Sequence, residues 1–434
     1  MTKGFTLRLI PALMMFGFAG VAGASGFQLL EQNASGIGNA YAGSAAVADN
    51  ASTIFFNPAG MTQLQSREVS AGVSAIHTSY KFSDTGSSVG NLAGTGNGGD
   101  AGGWGFVPNG YLSWALTKDL YVGVGVSAPF GLKTEYGSQW VGAAQANMFD
   151  IKTVNINPSI AYRVNDKVSL GAGLDYQRID AEYLRKAGTT TVGRTHTNSI
   201  MTLNDAAWGW NLGALFNLSP STKVGVSYRS KVKYHTTGNV VLQDDGTGGG
   251  AAAADVLAGA GAASNLKADI TMPDTFILSA SQILSDRWEM LGDISRTGWS
   301  SIPKVDIIRT SGALNGQIAQ TLDTDFRNTW RVALGANYKL NDAWKLKFGF
   351  AYDQTPVKRP ETRLVSLPDN DRVWLSAGAQ WLPTKASRLD FGVSYLFVRD
   401  GQINNDQSAS GRGLVKGDVS GSAWILGAQY SLSF

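Results

Sequence analysis

The chain contains 434 residues, of which 43% are hydrophobic and only 16% charged, and its formal net charge is +3. The charged fraction is well below the roughly 25% that is usual for soluble domains, and the small net charge gives no support for a nucleic-acid partner. The sequence has no cysteine, which excludes disulfides, thiolate catalysis and cysteine-ligated metals.

The first 24 residues have the pattern of a secretory signal peptide. Lys3 and Arg8 provide a positively charged start, and residues 9–21 form an apolar run. Residues 22–24 have small side chains that fit a cleavage site, so we expect the mature chain to begin at Ser25. A membrane anchor is the alternative, but this apolar run is too short to span a bilayer comfortably. No later stretch offers about eighteen consecutive apolar residues, so we expect no membrane-spanning helix.

Residues 25–65 form a separate segment of different composition. They do not alternate between polar and apolar side chains, and they are rich in glycine, alanine, serine and asparagine. We interpret this segment as a compact plug of short helices and loops that is packed inside a barrel. A periplasmic appendage or linker is the alternative, because composition alone cannot place the segment.

Residues 66–434 alternate with period two, as half-buried strands do. In the last strand one face carries Trp424, Leu426, Ala428, Tyr430, Leu432 and Phe434. The opposite face is mostly small and polar. A soluble sandwich alternates as well, but here the apolar face is repeatedly large and ends in aromatic residues, which is typical of the lipid-facing side of a membrane barrel.

Short and long connections follow each other strictly along residues 66–434. The short turns lie at 117–119, 165–166, 219–221, 285–286, 341–342 and 383–385. The longer polar stretches are centred on Gly94, Gly137, Gly193, Gly249, Gly312, Pro360 and Asp406. Counting hairpins predicts an all-β fold, a transmembrane antiparallel β-barrel of about 14 strands. The stretch around Gly249 also favours a short helix over residues 251–258.

Several segments resemble the FadL family of outer-membrane transporters. They are Gly26-Phe27-Gln28-Leu29, Asn57-Pro58-Ala59, Trp330-Arg331-Val332-Ala333-Leu334-Gly335 and Leu367-Pro368-Asp369-Asn370-Asp371-Arg372. The similarity covers nearly the whole mature chain. The resemblance implies a fourteen-stranded barrel with an N-terminal plug. It also implies passive outer-membrane transport of long-chain fatty acids or related hydrophobic compounds, by capture in an apolar pocket. Some members of the family carry aromatic hydrocarbons.

The resemblance also implies a gap in the third strand, through which ligand is released sideways into lipid. Here the third strand covers residues 120–128, contains Gly123 and Gly125, and is followed by Pro129. Glycine permits a bend in a strand and proline donates no ladder bond, so these residues fit a local break. Ordinary barrel curvature is the alternative.

The alternation also predicts which charged side chains point into the lumen. These are Arg163, Arg229, Lys231, Lys233, Arg331, Lys347 and Arg372, with Asp175, Asp293, Asp353 and Asp390. A fatty-acid carboxylate in an apolar pocket needs a cationic partner, and our candidates are Arg163, Arg331 and Arg372. The alternative is that lumen charges pair with each other or with the plug.

Two further groups of residues are candidates for ligand entry and for gating. Phe130, Leu132 and Trp140 would form an apolar entry groove, unless their loop packs on itself. In the plug, we expect Asn57, Pro58 and Ala59 to fix the segment in place, because proline restricts the backbone and asparagine can hold a turn. The beginning of the plug, with Phe27 and Leu29, would remain movable and gate the ligand.

Matches to enzyme motifs carry no weight in this sequence. The Gly-x-Ser-x-Gly match at 86–90 and the Gly-x-Gly-x-x-Gly match at 94–99 lie in a low-complexity loop without strand-turn-helix context. The three histidines lack ligand spacing. We therefore expect no enzyme activity, cofactor or metal, and a monomer surrounded by outer-membrane lipid and lipopolysaccharide. The rivals are an uptake channel for aromatic hydrocarbons, a water-filled porin, and a surface adhesin or phage receptor.

Overall fold

The computed structural model describes residues 26–88, 94–187, 197–246 and 250–434. The predicted signal peptide and the start at Ser25 lie outside the described residues. So do Gly193 and Gly249, the predicted centres of two long connections, and the last two residues of the 86–90 motif match.

The described residues form nineteen strand segments in one closed antiparallel sheet. The segments are β1 (Arg67–Asp84), β2 (Trp104–Ala115), β3 (Leu120–Ser127), β4 (Gly131–Glu135), β5 (Met148–Arg163), β6 (Val168–Ala187), β7 (Thr197–Ser219), β8 (Thr222–Arg229), β9 (Val232–Asp244), β10 (Ser264–Met272), β11 (Thr275–Ile283), β12 (Trp288–Thr297), β13 (Val305–Arg309), β14 (Ile318–Leu322), β15 (Thr329–Lys339), β16 (Trp344–Asp353), β17 (Arg372–Trp381), β18 (Ser387–Asp406) and β19 (Leu414–Ser433).

In the described part of the chain, these segments make fourteen barrel strands. Five barrel strands are interrupted and consist of two segments each, namely β3 with β4, β8 with β9, β10 with β11, β12 with β13, and β14 with β15. The barrel closes where β1 pairs with β19, from Glu68 opposite Ser433 to Asp84 opposite Gly417. The predicted count of fourteen is therefore confirmed, and each predicted short turn joins two neighbouring segments.

The two faces of the strands have reversed polarity compared with a soluble protein. On β5, Ile156, Ile160 and Tyr162 are 42%, 48% and 53% exposed, whereas Asn155 and Asn157 are buried. A continuous outer face of large apolar side chains is stabilised by lipid, and polar side chains inside can form hydrogen bonds with each other or with the plug. On this strand the predicted orientation of the alternating faces is confirmed.

The plug lies inside the barrel. It contains a short helix at Thr53–Phe56 and 3-10 segments at Ile37–Asn39 and Pro58–Gln63. The Ala34 N–H donates to Gln429 on β19 at 3.1 Å, the Ser44 hydroxyl to Asp293 on β12 at 2.8 Å, and the Thr62 hydroxyl to Ser169 on β6 at 2.7 Å. Because these contacts reach strands on different sides of the barrel, the segment is a plug and not an external linker.

Glycines on the inner wall allow this close approach. A Cβ atom at Gly171 would overlap the Ala59 backbone, and one at Gly213 would overlap the Asn57 side chain. Among the described residues no helix is both long and apolar enough to cross a bilayer. The helix expected at 251–258 is present as Gly250–Gly259.

The prediction that Lys231 and Lys233 point into the lumen is wrong. Lys231 and Lys233 are exposed on the outside, and the Lys231 side chain has 44% of its surface accessible. The reason is the interruption at Ser230, which ends the ladder of β8 and restarts it in β9 with Val232 and Tyr234 facing inward. A shift of one residue reverses the face of every side chain that follows. The four predicted aspartates are buried as expected.

Candidate functional site

The barrel wall is broken in its third strand. β3 ends at Ser127 and β4 begins at Gly131, and the ladder between β2 and β3 ends where Gly110 pairs with Val126. β4 pairs with β5, but no pairing between β2 and β4 is found in the described part of the chain. The wall therefore has a gap between β2 and β4, next to Pro129, which cannot donate a ladder bond.

The first residues of the plug occupy this gap. The Leu29 N–H donates to the Pro129 carbonyl at 2.8 Å, and the Gly131 N–H donates to the Phe27 carbonyl at 2.9 Å. Gln28 and Phe130 form an isolated antiparallel bridge. Residues 26–30, which we call the N-terminal stretch, thus act as a very short strand that covers the break.

An apolar cavity lies above the N-terminal stretch, on the side of the long connections. We call it the outer cavity, and its empty space is about 590 Å³. Its lining includes Phe27, Phe149, Tyr183, Met201, Ile307 and Leu322. The volume and the apolar walls are typical of a site for a small hydrophobic molecule.

Three arginines lie beyond the loop end of the outer cavity, next to residues that line it, although none of the three lines it. Arg185 follows Tyr183 on the inward face of β6, and Arg309 follows Ile307 on the inward face of β13. Arg412 lies in the connection between β18 and β19, and both it and Arg309 are close enough to Arg185 to repel its charge. We call these three residues the arginine cluster.

The arginine cluster has polar contacts but no acidic partner within the described ranges. Arg185 Nε donates to Gln320 Oε1 at 3.2 Å, and the other two arginines donate to backbone carbonyls. Burial lowers the pKa of Arg412, and the charge of Arg309 lowers it further. Positive charge that has no acidic partner in the described residues and lies close to an apolar cavity is an arrangement that an anionic head group would stabilise.

A second cavity lies on the other side of the N-terminal stretch. This inner cavity has an empty space of about 780 Å³ and is lined by Leu29, Leu30, Pro129, Phe130 and Arg331, among others. Phe27 lines the outer cavity, and residues 28–30 line the inner one. The N-terminal stretch therefore separates an apolar cavity from a more polar one that reaches the wall break.

The three predicted carboxylate partners lie apart from one another. Arg163 donates to the Thr62 carbonyl of the plug and lines neither cavity. Arg331 lines the inner cavity, donates to the Ala40 carbonyl at 2.6 Å and lies 5.1 Å from the centre of the Trp374 ring.

Arg372 forms a buried ion pair with Asp369, and Asp369 in turn accepts a hydrogen bond from the Gly26 N–H at 3.0 Å. Arg372 thus helps to hold the beginning of the N-terminal stretch. Of the three predicted arginines, the structure places Arg331 at a cavity, and Arg163 and Arg372 at attachments of the plug.

The predicted apolar entry groove is divided in a similar way. Phe130 lines the inner cavity, and its ring centre lies 6.1 Å from that of Phe27. Leu132 is buried in the surrounding apolar core. Trp140 stacks on Tyr136 at 3.9 Å, and its N–H donates to the Ala146 carbonyl at 2.9 Å. These contacts of Trp140 match the alternative in which the loop packs on itself.

The predicted plug residues lie where the plug meets the wall. Asn57 donates to the carbonyls of Ala45 and Ala214 at 2.7 and 3.0 Å, while its oxygen accepts from the Ala59 N–H at 3.1 Å. Pro58 begins the 3-10 segment Pro58–Gln63. Asn57 therefore ties the plug to β7 and to the rest of the plug at once.

The three residues of the predicted lateral opening differ in their surroundings. A Cβ atom at Gly123 would meet Ile54 and Met61 of the plug, and one at Gly125 would meet the Tyr111 ring. Both glycines remain paired with β2 and β5. The break itself begins only after them, and Pro129 lies within it.

Two acidic groups of the plug, the buried Glu31 and the half-buried Asp49, have shifted pKa values. Burial raises the pKa of Glu31 from 4.5 to about 7, although the charges of Arg372 and Arg331 act in the opposite direction. Lys345 holds the pKa of Asp49 well below its usual range across a separation of 3.5 Å. Within the described residues no group of three or more acidic or histidine side chains could hold a metal ion.

Comparison with known proteins identifies the relatives of this barrel. Residues 15–434 match the model of the family described as outer membrane protein transport protein (OMPP1/FadL/TodX). The chain is 28% identical to the long-chain fatty acid transport protein of Escherichia coli strain K12, over 95% of each chain. It is 31% identical to outer membrane protein P1 of Haemophilus influenzae, over 91% of this chain and 90% of the relative. The chain belongs to the FadL family.

Solved structures show the same fold. A Pseudomonas aeruginosa FadL homologue has a TM-score of 0.84 at 23% identity, over 94% of this chain and 100% of the other. The Pseudomonas putida toluene transporter TodX has a TM-score of 0.68 at 17% identity, over 93% and 98% of the two chains. This FadL-family protein is therefore an outer-membrane β-barrel of fourteen strands with an N-terminal plug.

Our sequence reasoning missed the arginine cluster of this FadL-family protein. The period-two pattern contains a signal for two members, because Ala181, Tyr183 and Arg185 share one face of β6, and Val305, Ile307 and Arg309 share one face of β13. The period-two alternation does not give the position of each residue along the barrel axis. That axial position determines which inward-facing residues from different strands lie close to one another.

Proposed function

We propose that this protein carries long-chain fatty acids, or closely related hydrophobic compounds with an anionic head group, passively across the outer membrane. The observation that supports this proposal is the arginine cluster, which lies next to residues that line an apolar cavity and has no acidic partner in the described residues. The FadL-family relative from Escherichia coli is a long-chain fatty acid transport protein.

Each part of a fatty acid has a suitable environment in this arrangement. The carboxylate accepts charge-assisted hydrogen bonds from the arginine cluster, each of which contributes about 1.5–3 kcal/mol. The alkyl chain extends into the outer cavity between Phe27, Met201 and Leu322, and each buried methylene contributes about 0.8 kcal/mol. The two contributions together favour an amphipathic ligand over a polar solute.

Release then proceeds sideways. The ligand leaves the outer cavity when the N-terminal stretch moves, enters the inner cavity beside Pro129 and Phe130, and passes through the wall break into the lipid. Supporting this path, the stretch is attached to the break by two backbone hydrogen bonds and not by a full ladder. The ligand moves from the cavity into the membrane because lipid is the more favourable solvent for an apolar chain. Its concentration gradient sets the net direction of transport.

The first test compares a charged and an uncharged ligand. Replacing Arg185 and Arg309 by methionine removes two positive charges but keeps long apolar side chains. We expect oleate affinity to fall at least about tenfold, since one lost charge-assisted bond corresponds to about 1.5 kcal/mol or more, while hexadecane affinity changes little. The matched control is Arg178→Met, because Arg178 lies on the same strand but is 56% exposed and paired with Asp180.

An uptake channel for aromatic hydrocarbons is the second candidate. The aromatic side chains of Phe27, Phe149 and Tyr183 in the outer cavity favour it, and a FadL-family structure with the same fold is a toluene transporter. The same experiment separates the two functions. If toluene binds more tightly than oleate, and Arg185 and Arg309 contribute to neither affinity, the fatty-acid proposal is wrong.

A further inference from the structure

The backbone of Ala128, at the start of the wall break, is paired with a side chain and not with a strand. Gln32 of the plug donates from Nε2 to the Ala128 carbonyl at 2.7 Å, and its Oε1 accepts from the Ala128 N–H at 3.1 Å. Gln32 is completely buried. A primary amide offers the same donor and acceptor as a peptide group, so the Gln32 side chain satisfies both polar groups of Ala128 as a neighbouring strand would.

The hydrogen bonds from Gln32 are important because Ala128 lies at the start of the wall break. The ladder between β2 and β3 has ended two residues earlier, at Val126. In a barrel wall surrounded by lipid, the polar groups of an unpaired backbone residue have no water to bind. A closed wall at Ala128 therefore requires Gln32 or an equivalent partner.

Gln32 also reaches the opposite edge of the gap. The Tyr111 hydroxyl on β2 donates to the Gln32 carbonyl at 2.6 Å. The Tyr111 ring reaches this position across β3 at Gly125, where any side chain would overlap it. Gln32 thus connects β2, through Tyr111, with the end of β3, through Ala128.

The same side chain is connected to the N-terminal stretch. Gln32 Nε2 donates to the Leu29 carbonyl at 2.8 Å, and the Leu29 N–H donates to the Pro129 carbonyl. Leu29 is therefore bonded both to the wall break and to Gln32. A displacement of the N-terminal stretch away from the break would move Leu29 and disturb its hydrogen bond with Gln32.

We propose that Gln32 is the positioning residue that holds the wall break closed, and that its side chain must leave Ala128 before ligand can exit. This inference rests on the proposed lateral release and names the contact that controls it. The residue acts on the wall and not on the ligand, since it lines neither the outer nor the inner cavity. Its removal should change the exit rate and not the affinity.

The test replaces Gln32 by methionine, which has a similar length but no amide. We expect amide hydrogen exchange in a peptide containing Ala128 to become at least tenfold faster, the maximal rate of oleate uptake to rise severalfold, and oleate affinity in detergent to stay within twofold. The control is Gln63→Met, because Gln63 is in the same plug and its side chain has only a 3.5 Å contact to Thr62.

A double-cysteine variant tests the same contact by linking the two residues covalently. Because the chain has no native cysteine, Gln32→Cys and Ala128→Cys can be combined without background and joined by a short bis-methanethiosulfonate crosslinker, which replaces the length of the glutamine side chain. Formation of the crosslink should stop uptake while oleate still binds, and its reductive cleavage should restore uptake.

Each outcome is decisive for Gln32. Faster exchange at Ala128 with unchanged or slower uptake would show that the contact is structural only, and full uptake with the crosslink in place would likewise overturn the proposal. If instead the proposed function is wrong, the wild-type protein should show no preference for oleate over hexadecane.

Discussion

Replacing Glu31 by glutamine should make the plug more stable at neutral and alkaline pH. Glu31 is completely buried, and its carboxylate lies near the N–H groups of Leu30 and Glu31, but neither oxygen accepts a well-formed hydrogen bond among the described residues. The nearby cations Arg372 and Arg331 already interact with Asp369 and with the Ala40 carbonyl. Burial therefore dominates and raises the pKa of Glu31 to about 7.

The magnitude follows from the difference between the folded and unfolded pKa values. Below pH 4.5 the carboxyl is protonated in both states and contributes nothing. Between pH 4.5 and about 7 the unfolded chain loses the proton first, so the free energy of unfolding falls as the pH rises. Above pH 7 the full penalty is present. The shift from 4.5 to about 7 corresponds to about 3 kcal/mol.

Hydrogen exchange of the plug amides measures this effect locally. After correction for the intrinsic pH dependence of exchange, protection of residues 29–40 should decrease roughly a hundredfold between pH 5 and 8 in the wild-type protein, since 1.4 kcal/mol is about a factor of ten. Protection in Glu31→Gln should be nearly constant over this range.

Asp49→Asn provides the contrast within the same plug. Asp49 has a lowered pKa because of Lys345, and its stabilisation is lost only as the pH falls below about 4. Its replacement should therefore weaken protection equally at pH 5 and pH 8. Equal pH slopes in the wild-type protein and in Glu31→Gln would refute the role assigned to Glu31.

Two further variants test the attachment of the plug. Gly213→Val should displace Asn57 and raise nonspecific conductance severalfold in planar bilayers, whereas Gly292→Val should not, because a Cβ atom at Gly292 meets open space. Arg372→Ala should loosen the Asp369 contact to the N-terminal stretch and weaken oleate and hexadecane binding by similar factors in equilibrium titrations. A selective loss of oleate binding would instead place Arg372 at the ligand carboxylate.

Much of the barrel could be predicted from local sequence patterns. Alternation defines which side chains face lipid, and short turns mark where strands reverse, so the count of fourteen needs no long-range information. The error at Lys231 and Lys233 has a local cause. A single irregular residue, Ser230, shifts the alternation, and serine is common enough in these strands that its sequence context gives no warning.

The candidate site was less predictable, for two physical reasons. The arginine cluster depends on the register between β6, β13 and the connection after β18, and register along the barrel axis is not encoded in the alternation. Gln32 lies in an irregular segment, where no periodicity predicts the direction of a side chain. Its partner Ala128 gains importance only because the ladder beside it is missing.

The wall break and the plug depend on each other for a simple energetic reason. A continuous ladder in lipid cannot open locally, because every separated pair leaves two polar groups without partners. A permanent gap would be equally unfavourable at Ala128 and Pro129. The plug supplies the missing partners, since Gln32 and Leu29 make hydrogen bonds to Ala128 and Pro129, and in the release that we propose these bonds are withdrawn together. The proposed release would therefore open this FadL-family barrel at one site in its wall while the rest of its ladder remains intact.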